Sequence, residues 1–148
     1  MTGSHEVEIL LVEDDPNDAE LAMRALRKNN LSNNVVHVTN GEQALDFLFA
    51  RGAYSDRDVQ MKPKVVILDL KLPKINGLEV LRAIKGDPRT ATIPIVIMTS
   101  SKEESDLVES YRLGVNSYIV KPVDFEKFVG AVRDLGMYWL LLNQIPTR

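Results

Sequence analysis

Four short stretches of this chain carry side chains that could do chemistry together. Glu13-Asp14-Asp15 is a run of three acids, and Asp69 is an acid closing an apolar run. Thr99-Ser100-Ser101 offers hydroxyls, and Lys121, just before Pro122, offers an ammonium. Three or four carboxylates in one place repel unless a cation joins them. Mg²⁺ suits such a place, because it takes hard oxygen ligands and prefers one or two carboxylates plus water and phosphate. A carboxylate beside it can act as a nucleophile and form an acyl phosphate. Phosphoryl transfer asks a protein mainly for positioning and charge neutralisation. Mg²⁺ on one side, with the Lys121 ammonium and the Thr99 hydroxyl on the other, could cover the three phosphoryl oxygens. Taken singly, each residue has a plainer use. Asp14 or Asp15 could cap a helix, a Thr ending a strand is often structural, and a Lys before a Pro is often a surface residue.

The elements between these stretches decide whether they meet. Ile9-Leu10-Leu11-Val12, Val35-Val36-His37-Val38, Val65-Val66-Ile67-Leu68, Ile95-Val96-Ile97-Met98 and Tyr118-Ile119-Val120 are short aliphatic runs that read as strands. Helical periods lie between them. Pro16 suits a first helical turn, and Ala19, Ala22, Met23 and Leu26 form a buried stripe ending near Asn29-Asn30. Asn40 reads as an N-cap before a helix with Leu45, Leu48 and Phe49 inward. Gly77 to Ile84 is a short helix with Val80, Ala83 and Ile84 on one side; Glu103 to Leu113 is a fourth; the last begins near Asp124 and runs to about Asn143. The polar stretch Arg51 to Lys64 is long for a connection.

A strand–helix unit repeated five times, with strands apolar throughout, predicts an α/β fold whose parallel sheet is covered on both faces. Right-handed crossovers then bring the residue after each strand to one edge, where such sheets bind ligands. The acid run, Asp69, Thr99 and Lys121 follow strands 1, 3, 4 and 5. The ordered coincidence outweighs the plainer use of each residue. The expectation is one domain over residues 1–148, its core at about 8–143, without repeats or low-complexity tracts.

Bulk properties limit the alternatives. At 45% hydrophobic and 26% charged the chain can bury a globular core. A net charge of −3 argues against nucleic acid as a partner. Cys is absent, which removes disulfides, thiolate metal sites and a cysteine nucleophile. The polar start Met1 to Glu8 has no secretory apolar core, and the run Met137 to Leu142 is far short of the roughly 20 residues that span a bilayer. A cytoplasmic protein is expected. His5 and His37 are too few and too separated to suggest a metal site.

With these motifs in place, the sequence resembles the receiver domain of two-component response regulators from about Glu8 to Asn143. The matching motifs are Leu11-Val12-Glu13-Asp14-Asp15, Leu68-Asp69-Leu70-Lys71-Leu72-Pro73 with Asn76-Gly77, Met98-Thr99-Ser100, and Lys121-Pro122. The resemblance implies a flavodoxin-like (βα)5 sheet of strand order 2-1-3-4-5. It implies that a histidine kinase phosphorylates Asp69 with Mg²⁺ as cofactor. Asp14 would bind the metal directly, Glu13 through water, and Lys71 through its backbone carbonyl. Thr99 and Lys121 would hold the phosphoryl group, Tyr118 would turn inward as the aromatic partner of the switch, and the Lys121–Pro122 bond would be cis. Such a protein signals rather than turning over a substrate.

The last helix is greasier than a bare receiver needs. Phe125, Phe128, Val129 and Val132 form one stripe, expected on the sheet. Leu135, Tyr138, Trp139 and Leu142 form another, with Met137, Leu140 and Leu141 around them. A helix apolar all round should be buried. The expected cover is a second copy of the chain in a C2 homodimer, using the fourth helix, fifth strand and last helix, with Phe128, Tyr138, Trp139 and Leu142 at the interface. The alternative is that the tail folds back on its own domain. This tail and the long Arg51–Lys64 connection resemble the receivers that partner phytochrome kinases.

Three competing functions have discriminators. A haloacid-dehalogenase-type phosphatase needs a second acid two positions after its nucleophile, where this chain has Lys71. A pseudo-receiver usually lacks the acids or the lysine, and all are present. A transcription factor would need a further DNA-binding domain after the last helix, which is not expected. No GxxxxGK[ST] or GxGxxG run follows a strand, which argues against a nucleotide-binding enzyme.

Overall fold

The computed structural model describes residues 9–27, 35–100, 109, 112–115 and 117–134. Their elements are β1 (Ile9–Val12), α1 (Pro16–Arg27), β2 (Val35–Val38), α2 (Gly41–Leu48), a 3₁₀ turn (Gly52–Tyr54), β3 (Val65–Asp69), α3 (Gly77–Lys85), β4 (Ile95–Thr99), β5 (Ser117–Val120) and α4 (Phe125–Asp134). The helix expected over Glu103–Leu113 falls mostly outside the described residues. So do the ends expected at Asn29-Asn30 and Asn143, and the second tail stripe with Tyr138, Trp139 and Leu142.

The strands form one parallel sheet, as the sequence pattern predicts, in the order β2-β1-β3-β4-β5, the flavodoxin-like order that the resemblance implies. Apolar side chains on both sides of every central strand require cover on both faces. On one face Leu11, Ile67 and Met98 pack with Leu26 of α1 and Phe128 of α4. On the other, Leu10, Leu68 and Ile97 pack with Leu48 of α2 and Ile84 of α3.

Helix starts follow local chemistry. The Asp15 carboxylate accepts from the amides of Asn17 (2.8 Å) and Asp18 (3.2 Å), so Asp15 caps α1 and Asp14 is left for the site. Asn40 caps α2 by accepting from Gln43 N. Asn76 and Glu79 form a reciprocal capping box on α3, which satisfies two otherwise orphaned amides.

Three packing expectations are corrected. In α2 it is Phe47, not Phe49, that is buried in the core; Phe49 follows the last helical residue and is only partly buried. In α3, Leu81 joins Val80 and Ile84 in the core and Ala83 is only partly buried. Phe128, expected both on the sheet and at the contact with a second copy, is fully buried against the chain's own sheet. It cannot lend its ring to another chain without opening that core.

Within the Arg51–Lys64 connection, Arg57 ties the segment to α2. The Arg57 guanidinium stacks 3.8 Å from the Phe47 ring centroid and donates to the carbonyls of Phe47 and Met61.

Candidate functional site

Parallel register builds the site. Val12 pairs with Leu68, Asp69 with Met98, and Thr99 with Val120. The residue one step beyond β1 is therefore Glu13, beside Asp69. The residue one step beyond β5 is Lys121, whose amide donates to the Thr99 carbonyl at 2.9 Å. Glu13 is held from two sides. Its amide donates to Val38 O at 3.1 Å, and Nε2 of His37 donates to its carbonyl at 2.8 Å.

Glu13, Asp14, Asp69 and Lys121 come together, whereas the Thr99 hydroxyl is turned to Ser100 O. Lys121 Nζ lies 2.9 Å from Asp69 Oδ2 and 3.0 Å from Glu13 Oε1. One carboxylate oxygen each from Glu13, Asp14 and Asp69 lies within 4.8 Å of the other two. Glu13 and Asp69 are buried, at 0% and 3% exposure, whereas Asp14 is exposed. Asp14 and the β3–α3 loop residues Leu70 to Pro73 line an open cavity of about 440 Å³. The Lys121–Pro122 bond is cis, as the resemblance implies.

Electrostatics follow from this geometry. Burial raises the Glu13 pKa to about 7, and the neighbouring Asp69 charge adds to it, against the lowering effect of the Asp15 amide and Lys121. That amide donates to Glu13 Oε2 at 3.0 Å. Burial alone would disfavour the Lys121 ammonium, but the close carboxylates of Asp69, Glu13 and Asp18 outweigh it and hold Lys121 above the ordinary lysine range. The cluster thus carries excess negative charge around one ammonium.

That excess is what a divalent cation would relieve. Glu13 Oε1 is buried and has no well-directed hydrogen bond, so it retains acceptor capacity toward the site. Hard oxygens from two or three carboxylates, with open space beside Asp14, suit a hydrated divalent ion. The cluster is a candidate divalent metal site.

The remaining predicted residues are placed as follows. The Lys71 amide donates to Asp69 Oδ1 at 3.1 Å, wrapping the β3–α3 loop around the acid. Gly77 closes that loop by donating to Leu70 O at 3.0 Å. Thr99 is buried, and its hydroxyl donates to Ser100 O at 2.8 Å. Tyr118 lies on β5, between the buried Ser117 and Ile119, and is 43% exposed.

One site residue is absent from the sequence reading. Asp18 Oδ2 accepts from Lys121 Nζ at 3.1 Å. The available signal was position. Helical side chains lean toward the helix N-terminus, so an acid in the first turn of α1 leans over the sheet edge where β1 ends.

Comparisons with known proteins agree with this geometry. The family model described as response regulator receiver domain matches residues 9–133. The chain is 38% identical to the probable methanogenesis regulatory protein FilR2 of Methanothrix harundinacea, covering 93% of this chain and 86% of that protein. It is 34% identical to response regulator Rcp1 of Synechocystis sp., covering 93% and 92%. The solved Mn²⁺-bound form of Rcp1 matches with a TM-score of 0.75 at 33% identity, covering 95% of this chain and 99% of that one. The bacteriophytochrome response regulator RtBRR matches with a TM-score of 0.83 at 52% identity, covering 90% and 80%. With its fold, its acid cluster and its lysine on the page, the chain belongs to the response regulator receiver domain family of two-component signalling.

Proposed function

We propose that Asp69 accepts a phosphoryl group from a phosphohistidine of a histidine kinase, with Mg²⁺ as the metal at Glu13, Asp14, Asp69 and the Lys71 carbonyl. An Asp69 carboxylate oxygen forms the new bond to phosphorus as the phosphorus–imidazole nitrogen bond breaks. The departing imidazole keeps the electron pair. Mg²⁺ supplies charge neutralisation at the reacting oxygens. Lys121 supplies a second cation, and Thr99 a hydroxyl donor, to the incoming phosphoryl oxygens. The observation that carries this reading is the Lys121 ammonium 2.9 Å from a buried Asp69 that shares a carboxylate cluster with Glu13 and Asp14.

The group added brings about −1.5 to −2 charge and three acceptors, and the response is a shift between two packings near Thr99 and Tyr118. The output is altered protein–protein contact, not turnover of an external substrate. The chain acts as one receiver over residues 1–148 in the cytoplasm, catalysing only its own phosphorylation and slow dephosphorylation. Similarity to the bacteriophytochrome response regulator RtBRR supports a phytochrome-type kinase as the partner. A homodimer through the last helix, with Tyr138, Trp139 and Leu142 at the contact, remains part of this reading, without Phe128.

Acetyl phosphate with Mg²⁺, followed by intact mass, tests the centre of the proposal. One added phosphoryl group on the wild type and none on Asp69→Asn is expected. An unchanged wild-type mass, or equal labelling of both, refutes it. Sustained turnover of a generic phosphate ester would favour the phosphatase reading. Light scattering of wild type and Trp139→Glu tests the dimer; identical monomer masses rule it out.

A further inference from the structure

The Lys121 ammonium donates hydrogen bonds to Asp69 and Asp18, and it lies within ion-pair distance of three carboxylates, Asp69 at 2.9 Å, Glu13 at 3.0 Å and Asp18 at 3.1 Å. Two of these belong to the candidate metal and phosphoryl centre. Glu13 and Asp69 share the carboxylate cluster, and Asp69 also loses an oxygen to the new bond. Asp18 does neither. It sits on a different element, in the first turn of α1, and its backbone amide is fixed by the Asp15 cap at 3.2 Å. Among the described carboxylates within ion-pair distance of Lys121, it is the one whose role the transfer leaves unchanged.

We propose that Asp18 is a positioning residue for phosphoryl transfer: it anchors the flexible Lys121 side chain from α1, so that the ammonium stays aimed at Asp69 as the other two carboxylates change partners. This inference rests on Asp69 being the phosphoacceptor. A lysine stem has four rotatable bonds and costs rotamer entropy to immobilise, so a fixed third acceptor shortens the search for the productive geometry. The anchor also ties the residue after β5 to the helix after β1, across Asp69.

The test is a double-mutant cycle on the full chain, timing Asp69 labelling by acetyl phosphate and Mg²⁺. Asp18→Ala should label about tenfold more slowly, and Asp18→Asn, which keeps an acceptor oxygen, should recover most of that rate. In a Lys121→Ala background the Asp18→Ala effect should vanish, because nothing is left to position. A second readout needs no phosphorylation. The Lys121 Nζ ammonium signal in ¹⁵N NMR, protected by hydrogen bonds to Asp69 and Asp18 and the ion pair with Glu13, should broaden in Asp18→Ala and persist in Asp18→Asn. Equal labelling rates for wild type and Asp18→Ala, the same fold-loss in both backgrounds, or an unchanged ammonium signal in Asp18→Ala overturns the proposal. Failure of the wild type to label at all would instead overturn the assignment of Asp69.

Discussion

Lys121 and Asp69 are 52 residues apart in the chain, yet an ammonium proton of one points at a carboxylate oxygen of the other across 2.9 Å. Neither side chain is free to leave: Asp69 closes a buried central strand, and Lys121 follows β5 with 19% side-chain exposure. The pair is the meeting point of a sheet register and an electrostatic demand, since buried carboxylates with no cation beside them would be costly.

Removing that cation should therefore cost stability as well as chemistry. In metal-free Lys121→Ala, Glu13 and Asp69 would face each other without a counter-charge. Urea denaturation at pH 8 should show a loss of about 3 kcal/mol relative to wild type. The deficit should shrink near pH 6, where Glu13 takes up a proton, and Mg²⁺ should restore part of it. A loss that is the same at both pH values and unmoved by Mg²⁺ would mean that the lysine acts through packing alone.

The raised pKa of Glu13 sets a pH window. Its folded value is about 7 against an ordinary 4.5, so between these values the folded state holds a proton that the unfolded chain has released. Stability of the metal-free protein should fall as pH rises from about 4.5 to about 7, because the unfolded state binds fewer protons there. A metal competes for the same carboxylate. Below pH 7 its apparent affinity should weaken, toward about tenfold per pH unit. Chemical denaturation with EDTA across this range, and Mg²⁺ or Mn²⁺ titrations at pH 6 and 8, check both signs.

How much of this site the sequence makes legible depends on what each residue's position encodes. Glu13, Asp14, Asp69, Thr99 and Lys121 stand at or just past the ends of aliphatic runs, and a parallel sheet turns that position directly into a place at one edge. Asp18 does not end a strand. Its role depends on the lean of a helical side chain and on the path of Lys121 across the edge, which periodicity does not describe. Phe47 and Phe49 illustrate the same limit in the core. Both are aromatic and two residues apart, and the last residue of α2 decides which one turns inward. Phe128 belongs to an apolar stripe that could face either a sheet or a second chain, and only the contact with Leu11, Ile67 and Met98 distinguishes them.

Gly77 should be intolerant of any side chain. A Cβ there would overlap the carbonyl oxygen of Asp69 and lie 2.5 Å from the Cα of Leu70, both backbone atoms with no rotamer to yield. Gly77→Ala should push the β3–α3 loop off Asp69. The expected loss is about 1–3 kcal/mol in thermal or urea denaturation, with weaker metal binding, since the Lys71 amide and carbonyl move with that loop. Wild-type stability and metal affinity in Gly77→Ala would show that the β3–α3 loop can shift to admit a methyl group.

The Thr99 hydroxyl already has a partner, the Ser100 carbonyl at 2.8 Å, and this sets the direction of the switch. A neutral hydrogen bond contributes about 0.5–1.5 kcal/mol net, whereas one to a charged group contributes about 1.5–3 kcal/mol. A phosphoryl group on Asp69 should therefore draw the hydroxyl from Ser100. Thr99→Val keeps the branched shape and removes the donor. It should still be labelled at Asp69, more slowly than wild type, but without the accompanying change at Tyr118, which starts partly exposed. The Tyr118 ring signals in NMR, assigned with Tyr118→Phe, should move on phosphorylation of the wild type and stay in place in Thr99→Val. An equal shift in both proteins would uncouple Tyr118 from the Thr99 hydroxyl.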